Sequence, residues 1–233
     1  RTYGDYIAWL NQQDTAKAES FWQSYLAGWD EPIPLPIINH KANSAKNGLV
    51  TEQLTEQQRP LSAKATQKLK AFAQTHKVTL NSVVQAALGL VLSRYTLPVR
   101  AQIEREETIG DWLQKLSILQ AVTTEYEYVS LRSLQATFND GNSLFDTLLV
   151  FESYPVSVES FNGQTDFQLE NIQFNEWTHF PLTILVSGED QLTFTAKYRA
   201  DQLSLEAVSR LLGHLNNVIT AFVKKPTRQL KDI

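Results

Sequence analysis

The stretch Ser143-Leu144-Phe145-Asp146-Thr147-Leu148-Leu149-Val150-Phe151-Glu152-Ser153-Tyr154-Pro155 decides how the rest of the chain is read. Leu148 to Phe151 is an unbroken apolar run, with Phe145 ahead of it. The run is too short for a core helix and rich in strand formers, so it predicts a strand buried on both faces. Asp146 and Glu152 bracket it. A carboxylate at each end of a buried strand is either a solvated strand end or the wall of a site. Pattern alone leaves both open.

Working outward, Pro181 cannot donate to a ladder and marks the start of a strand over Leu182 to Val186. Ser187 to Gln191 joins it to a second strand, Leu192 to Tyr198, as a hairpin. In that second strand Leu192, Phe194, Ala196 and Tyr198 share one face. Asp166 to Phe174 alternates imperfectly and predicts a bulged strand. A last helix begins near Ser204, with a core stripe of Val208, Leu211, Leu212, Leu215, Val218, Ile219 and Phe222, and Pro226 ends it.

Before the central stretch, Asp5 to Gln12 reads as a short helix with Tyr6, Trp9 and Leu10 on one face. Asp14 caps a second helix with Phe21, Trp22, Tyr25 and Leu26 as its stripe, and Gly28 ends it. Glu31 to Pro36 holds three prolines and reads as an extended linker. A strand is expected over Leu49 to Thr55, broken at Arg59-Pro60. Ser62 caps a helix whose inner residues are Leu69, Phe72 and Ala73. Thr79 caps another, apolar around most of its girth (Leu80, Val83, Val84, Ala87, Leu88, Val91, Leu92), so it is expected deep in the core. Thr108 caps a helix, with Asp111 in the capping-box position. Its inner stripe is read as Trp112, Leu116, Leu119 and Val122, and a short helix reaching Gln135 follows.

The bulk numbers narrow the function. The 233 residues are 42% hydrophobic and 20% charged, enough for a sizeable core. A net charge of −4 excludes the basic footprint of a nucleic-acid binder. No apolar run approaches the ~18 residues of a membrane span, and no signal peptide is visible, so no membrane partner and a cytoplasmic location are expected. With no cysteine there are no disulfides or thiolate nucleophiles. The chain also has no methionine. His40, His76, His179 and His214 show no ligand spacing, so no metal site is expected. There is no nucleophile elbow, phosphate loop or dinucleotide fingerprint.

Several stretches resemble, in order, the condensation domains of nonribosomal peptide synthetases. "LFDTLLVFESYP" is similar to that family's "LFDTLLVFENYP", with Ser153 where the family has Asn. "YGDYIAWL…AESFWQSYLAG", "HKVTLNSVVQAALGLVLSRYT", "LPVR", "DWLQKL…EYEYVSLRSLQ", "EWTHFPLT" and the closing "PTRQLKDI" resemble further family motifs. His179 stands where the family usually has Asn. Thr96 runs directly into Leu97-Pro98-Val99-Arg100, where the family carries a long intervening segment. Buried unpaired backbone makes such a loss costly, so residues are read as missing at that junction.

The resemblance implies an α/β (α+β sandwich) fold, a chloramphenicol acetyltransferase-like lobe with a mixed sheet covered by helices. Residues 1–60 would be a helical hairpin and linker from an N-terminal lobe, and 61–233 the C-terminal lobe. The implied reaction is acyl transfer, in which one carrier-tethered amine attacks another's thioester to form a peptide bond. The family's His-His-x-x-x-Asp-Gly motif is absent from this chain, so no catalytic residue is assigned here and the fragment alone is expected to be inactive. Asp146, Val150, Glu152 and Tyr154, with Thr178 and Phe180 nearby, are expected to line or support the acceptor side of the substrate tunnel. Purely structural roles stay open for all six. The resemblance implies no directly bound cofactor; substrates would arrive on the 4'-phosphopantetheine arms of upstream donor and downstream acceptor peptidyl carrier domains, beside an adenylation domain and the N-terminal lobe. The alternatives are an epimerisation or heterocyclisation domain, or a non-catalytic carrier-docking lobe.

Overall fold

The structure is a computed structural model; it describes residues 2–27, 35, 37–38, 54–95, 104, 106–138, 143–152 and 177–233. The chain opens with α1 (Tyr3–Leu10) and α2 (Thr15–Leu26), continues through β1 (Leu54–Pro60), α3 (Ala63–Thr75), α4 (Leu80–Tyr95), α5 (Ile109–Thr124) and α6 (Leu131–Phe138), and then enters β2 (Thr147–Phe151), β3 (Leu182–Ser187) and β4 (Thr193–Arg199). Helix α7 (Leu205–Lys224) and a short 3-10 turn, Leu230–Asp232, close it.

Helix starts follow local chemistry. Asp14, Ser62, Thr108 and Ser204 each accept a backbone N–H from three residues on, which satisfies a donor the helix itself cannot. Thr79 does the same for Ser82 at 3.0 Å. Helix α1 begins earlier than read from the sequence, because Thr2 and Asp5 form a full capping box. Helix α7 ends at Lys224, before Pro226.

The four strands are ordered β1-β4-β3-β2, with β2 parallel to β3 and the other pairs antiparallel. Gly188 turns the β3–β4 hairpin at φ +92°, a backbone region that favours glycine. The first strand is described over Leu54–Pro60, meeting the expected 49–55 at Leu54 and Thr55 while residues 49–53 lie outside the described residues, and it runs through Arg59-Pro60. Proline is tolerated there for a geometric reason. Leu61 N–H donates to Leu192 O at 2.8 Å, so the neighbouring Pro60–Thr193 pair is a non-hydrogen-bonded one and the proline nitrogen points away from β4.

One face of the sheet carries Leu149 and Phe151 of β2, Leu182, Ile184 and Val186 of β3, and Phe194, Ala196 and Tyr198 of β4, all in the core or packed on it. Helix α7 lies against this face and against α3 and α4, and α5 packs on α4. The α7 stripe Val208, Leu211, Leu212, Leu215, Ile219 and Phe222 is buried. Phe222 meets Trp112 of α5 edge-on, with centroids 6.5 Å apart. Each such side chain, fully buried, contributes about 1.5–3 kcal/mol.

Two readings need correction. The central strand is half-buried along its length rather than buried on both faces, because among the described residues it pairs only with β3. On α5 the buried residues are Ile109, Trp112 and Leu113, while Val122 and Ile118 are exposed, because the helix runs out beyond the core toward its C-terminal end. The aromatic face of α2 packs on the loop after α5. Phe21 stacks on Tyr126 at 4.1 Å, Trp22 Nε1 donates to Tyr126 O at 2.9 Å, and Tyr128 Oη donates to Asp14 O at 2.9 Å. Tyr3, Tyr6 and Trp9 stay largely exposed. The expected linker at 31–36 (apart from buried Leu35), the bulged strand at 166–174 and the Thr96–Leu97 junction lie outside the described residues.

Candidate functional site

Side chains alternate across a strand, so a strand with one face in the core presents the other phase elsewhere. The register places Leu148 and Val150 of β2, Thr183, Leu185 and Ser187 of β3, and Thr193, Thr195, Lys197 and Arg199 of β4 on the face opposite the helices. Leu54, Glu56 and Gln58 of β1 extend that face. It is polar, and its centre is not solvated: Thr183 and Thr195 are 4% exposed and Lys197 8%.

The carboxylates flanking β2 belong to this face. Leu182 N–H donates to Asp146 O at 3.3 Å and Glu152 N–H to Val186 O at 2.8 Å, so the ladder runs past both ends of the strand. Alternation then aligns Asp146, Leu148, Val150 and Glu152. Thr178 joins them from the approach to β3: its hydroxyl is 2.6 Å from that of Thr183 and accepts from the Phe180 backbone N–H at 3.3 Å.

The structure therefore gathers Asp146, Val150, Glu152 and Thr178 on one surface. Phe180 is different. It is buried and stacked on Phe145, centroids 5.1 Å apart, where it props the entry to β2. Tyr154 lies outside the described residues.

Sequence reading missed Lys197 and Trp177. The Lys197 Nζ lies 5.3 Å from the centre of the Trp177 ring, a cation–π distance. The alternation Thr193, Thr195, Lys197, Arg199 is readable as the polar phase of β4, but its burial comes from residues far away in sequence. Arg199 is tied to Asp201 at 3.1 Å.

Among the described residues no group of three or more His, Cys, Asp or Glu stands ready to hold a metal. His76 caps the C-terminal end of α3, its ring tilted against Phe72 at 4.5 Å. His179 and His214 are exposed, and His40 lies outside the described residues. No described helix is long and apolar enough to cross a membrane. A cavity of about 310 Å³ lies between α2 and α5, lined by Ser24, Tyr25, Glu104, Trp112, Lys115 and Leu116, among others, none on the sheet.

Comparison with known proteins decides the lineage. The model of the condensation domain matches residues 1–97 and 96–233. The chain belongs to the condensation domain family. It is 30% identical over 264 residues to a linear gramicidin synthase of Brevibacillus parabrevis, covering 99% of this chain and 5% of that protein. Against bacitracin synthase 3 of Bacillus licheniformis the identity is 26% over 266 residues, covering 100% of this chain and 4% of that one. This condensation domain chain thus spans only a small part of the curated relatives it matches.

Solved structures agree on the fold. The X-domain from teicoplanin biosynthesis superposes with a TM-score of 0.72 at 16% identity, covering all of this chain and 62% of that one. The first condensation domain of the CDA synthetase gives 0.71 at 13%, covering 97% and 55%. The four-domain synthetase holo-AB3403, bound to AMP and glycine, gives 0.73 at 14%, covering 95% and 20%. A mixed sheet covered by helices in a chloramphenicol acetyltransferase-like lobe is the observed architecture of this condensation domain.

Proposed function

We propose that this chain is the C-terminal lobe of a condensation domain that joins two carrier-tethered substrates through an amide bond, with the polar face of its sheet forming one wall of the substrate path. One observation carries the reading: Asp146, Val150, Glu152 and Thr178, drawn from two separate motif stretches, converge on the sheet face opposite the one on which α7 packs. In amide formation the attacking amine must lose a proton and the tetrahedral oxyanion must be stabilised. The base would come from the family's His motif on a preceding lobe. Residues of this lobe bind, orient and exclude water. Donor and acceptor peptidyl carrier domains would present the substrates on phosphopantetheine arms, beside an adenylation domain. The two-part family match meeting at 96–97 supports reading a missing segment there; an intact mass of the natural polypeptide no greater than 26.4 kDa would overturn that.

The test is single-turnover product formation by the complete condensation domain with loaded carrier domains. Glu152→Gln and Val150→Trp, which fills the path, should slow amide formation by about tenfold or more while carrier loading is unchanged. Wild-type rates in both variants would remove this face from the path. A second reading is a docking lobe without turnover. It is favoured by one neighbour of the same fold, the teicoplanin X-domain, which is solved in complex with OxyB. Carrier binding with no amide product from the complete domain would establish it. Thioester stereochemistry and ring formation, read on the same products, separate epimerisation and heterocyclisation.

A further inference from the structure

We propose that the cavity between α2 and α5 is a binding site for a small, uncharged, largely apolar molecule that carries a hydrogen-bond acceptor such as a carbonyl. The cavity holds about 310 Å³, at the lower end of the range that small-molecule pockets occupy. Tyr25 of α2 and Trp112, Leu116 and Leu119 of α5 supply most of its apolar wall, and Glu104 and Lys115 add charged groups. None of these residues lies on the sheet, so the inference stands apart from the reading of the polar face.

The indole of Trp112 is what points to a ligand. Trp112 is almost fully buried, and its N–H has no hydrogen-bond partner. A buried indole N–H usually finds one, because a donor left unpaired away from water is costly. The wall around it is set in advance. Phe222 of α7 meets the Trp112 ring edge-on, and Tyr25 packs against Phe21 and Trp22. A wall that is already ordered loses little freedom on binding, so more of the interaction appears as affinity. The charges narrow the ligand by exclusion. Lys115 lies 2.8 Å from Glu107 and 3.7 Å from Glu104, so its ammonium is already matched. An anionic ligand would compete with those two carboxylates, and a cationic one would face the ammonium itself. A neutral acceptor disturbs neither and can take the Trp112 N–H.

The experiment uses acetophenone and α-methylstyrene, two probes of nearly the same shape of which only the first has a carbonyl, with benzoate as the charged counterpart. Each is titrated into the complete condensation domain, isotope-labelled at its tryptophan indole nitrogens. The Trp112 signal is identified by its loss in Trp112→Phe, and affinities are read by calorimetry. Acetophenone should bind saturably and move the Trp112 N–H signal, and benzoate should bind more weakly. The ratio of acetophenone to α-methylstyrene affinity should fall by about tenfold in Trp112→Phe. The ratio is taken within each protein, so transfer from water and a general loss of stability cancel. Ser24 is exposed and lines the cavity, so Ser24→Phe should fill it without touching the core and weaken both probes by about tenfold or more. No saturable binding of acetophenone, an unmoved Trp112 signal, an unchanged ratio in Trp112→Phe or undiminished binding in Ser24→Phe would overturn the site. Benzoate binding tighter than acetophenone would overturn the assignment of a neutral ligand.

Discussion

The hydroxyls of Thr178 and Thr183 lie 2.6 Å apart and join the segment ahead of β3 to the strand itself. Thr183 is 4% exposed, so its hydroxyl has little access to water as an alternative partner. Thr183→Val should destabilise by about 0.5–1.5 kcal/mol by removing the shorter of the Thr178 hydroxyl's two bonds, and the double valine variant should cost less than the two single changes added together. A double-mutant cycle in urea measures this; strict additivity would show that the pair is not coupled.

Gly110 and His76 set how closely α5 approaches the end of α3. A Cβ on Gly110 would lie 2.8 Å from His76 Cε1, well inside contact distance. Gly110→Ala is therefore expected to cost about 1–3 kcal/mol despite the better helix propensity of alanine. Adding His76→Ala should recover most of that loss. Thermal melts of the single and double variants decide it; no recovery would place the strain elsewhere.

Phe222 is fully buried and meets Trp112 edge-on, linking α7 to α5. Phe222→Ala should cost about 3–5 kcal/mol, through lost burial and the cavity left behind. Chemical denaturation with tryptophan fluorescence would record it. A loss under about 1 kcal/mol would mean that the site collapses freely.

Alkaline pH should loosen the ion pairs of Glu104, Glu106 and Glu107. The Glu107 carboxylate, 2.8 Å from Lys115, raises that ammonium above its usual 10.5, with Glu104 adding to the effect. Glu106 does the same for Lys231. A raised folded pKa gives a contribution fully present below 10.5 and lost as pH rises through the raised value. The Tm difference between wild type and Lys115→Met/Lys231→Met should stay constant up to that pH and shrink above it, and added salt should reduce it throughout. A gap that widens in alkali would reverse the assignment.

The sequence by itself determined the features that local chemistry controls. Asp14, Ser62, Thr79, Thr108 and Ser204 are legible as caps because each acts on a backbone N–H three residues away. The stripe of α7 and the apolar phase of β4 are legible because helix and strand periods are short. The order of motifs carried the family. Tertiary structure alone decided what depends on partners distant in the chain. It paired β1 with β4 across the whole lobe, and that pairing let Pro60 stay in a strand. It left β2 half-buried, since burial depends on the neighbours a strand receives and not on its own hydrophobicity. It aligned Asp146, Val150 and Glu152 with Thr178 and with Lys197, a residue no single stretch marked out. Register between remote strands chooses which phase of each faces the core, and the opposite phases together make the polar wall.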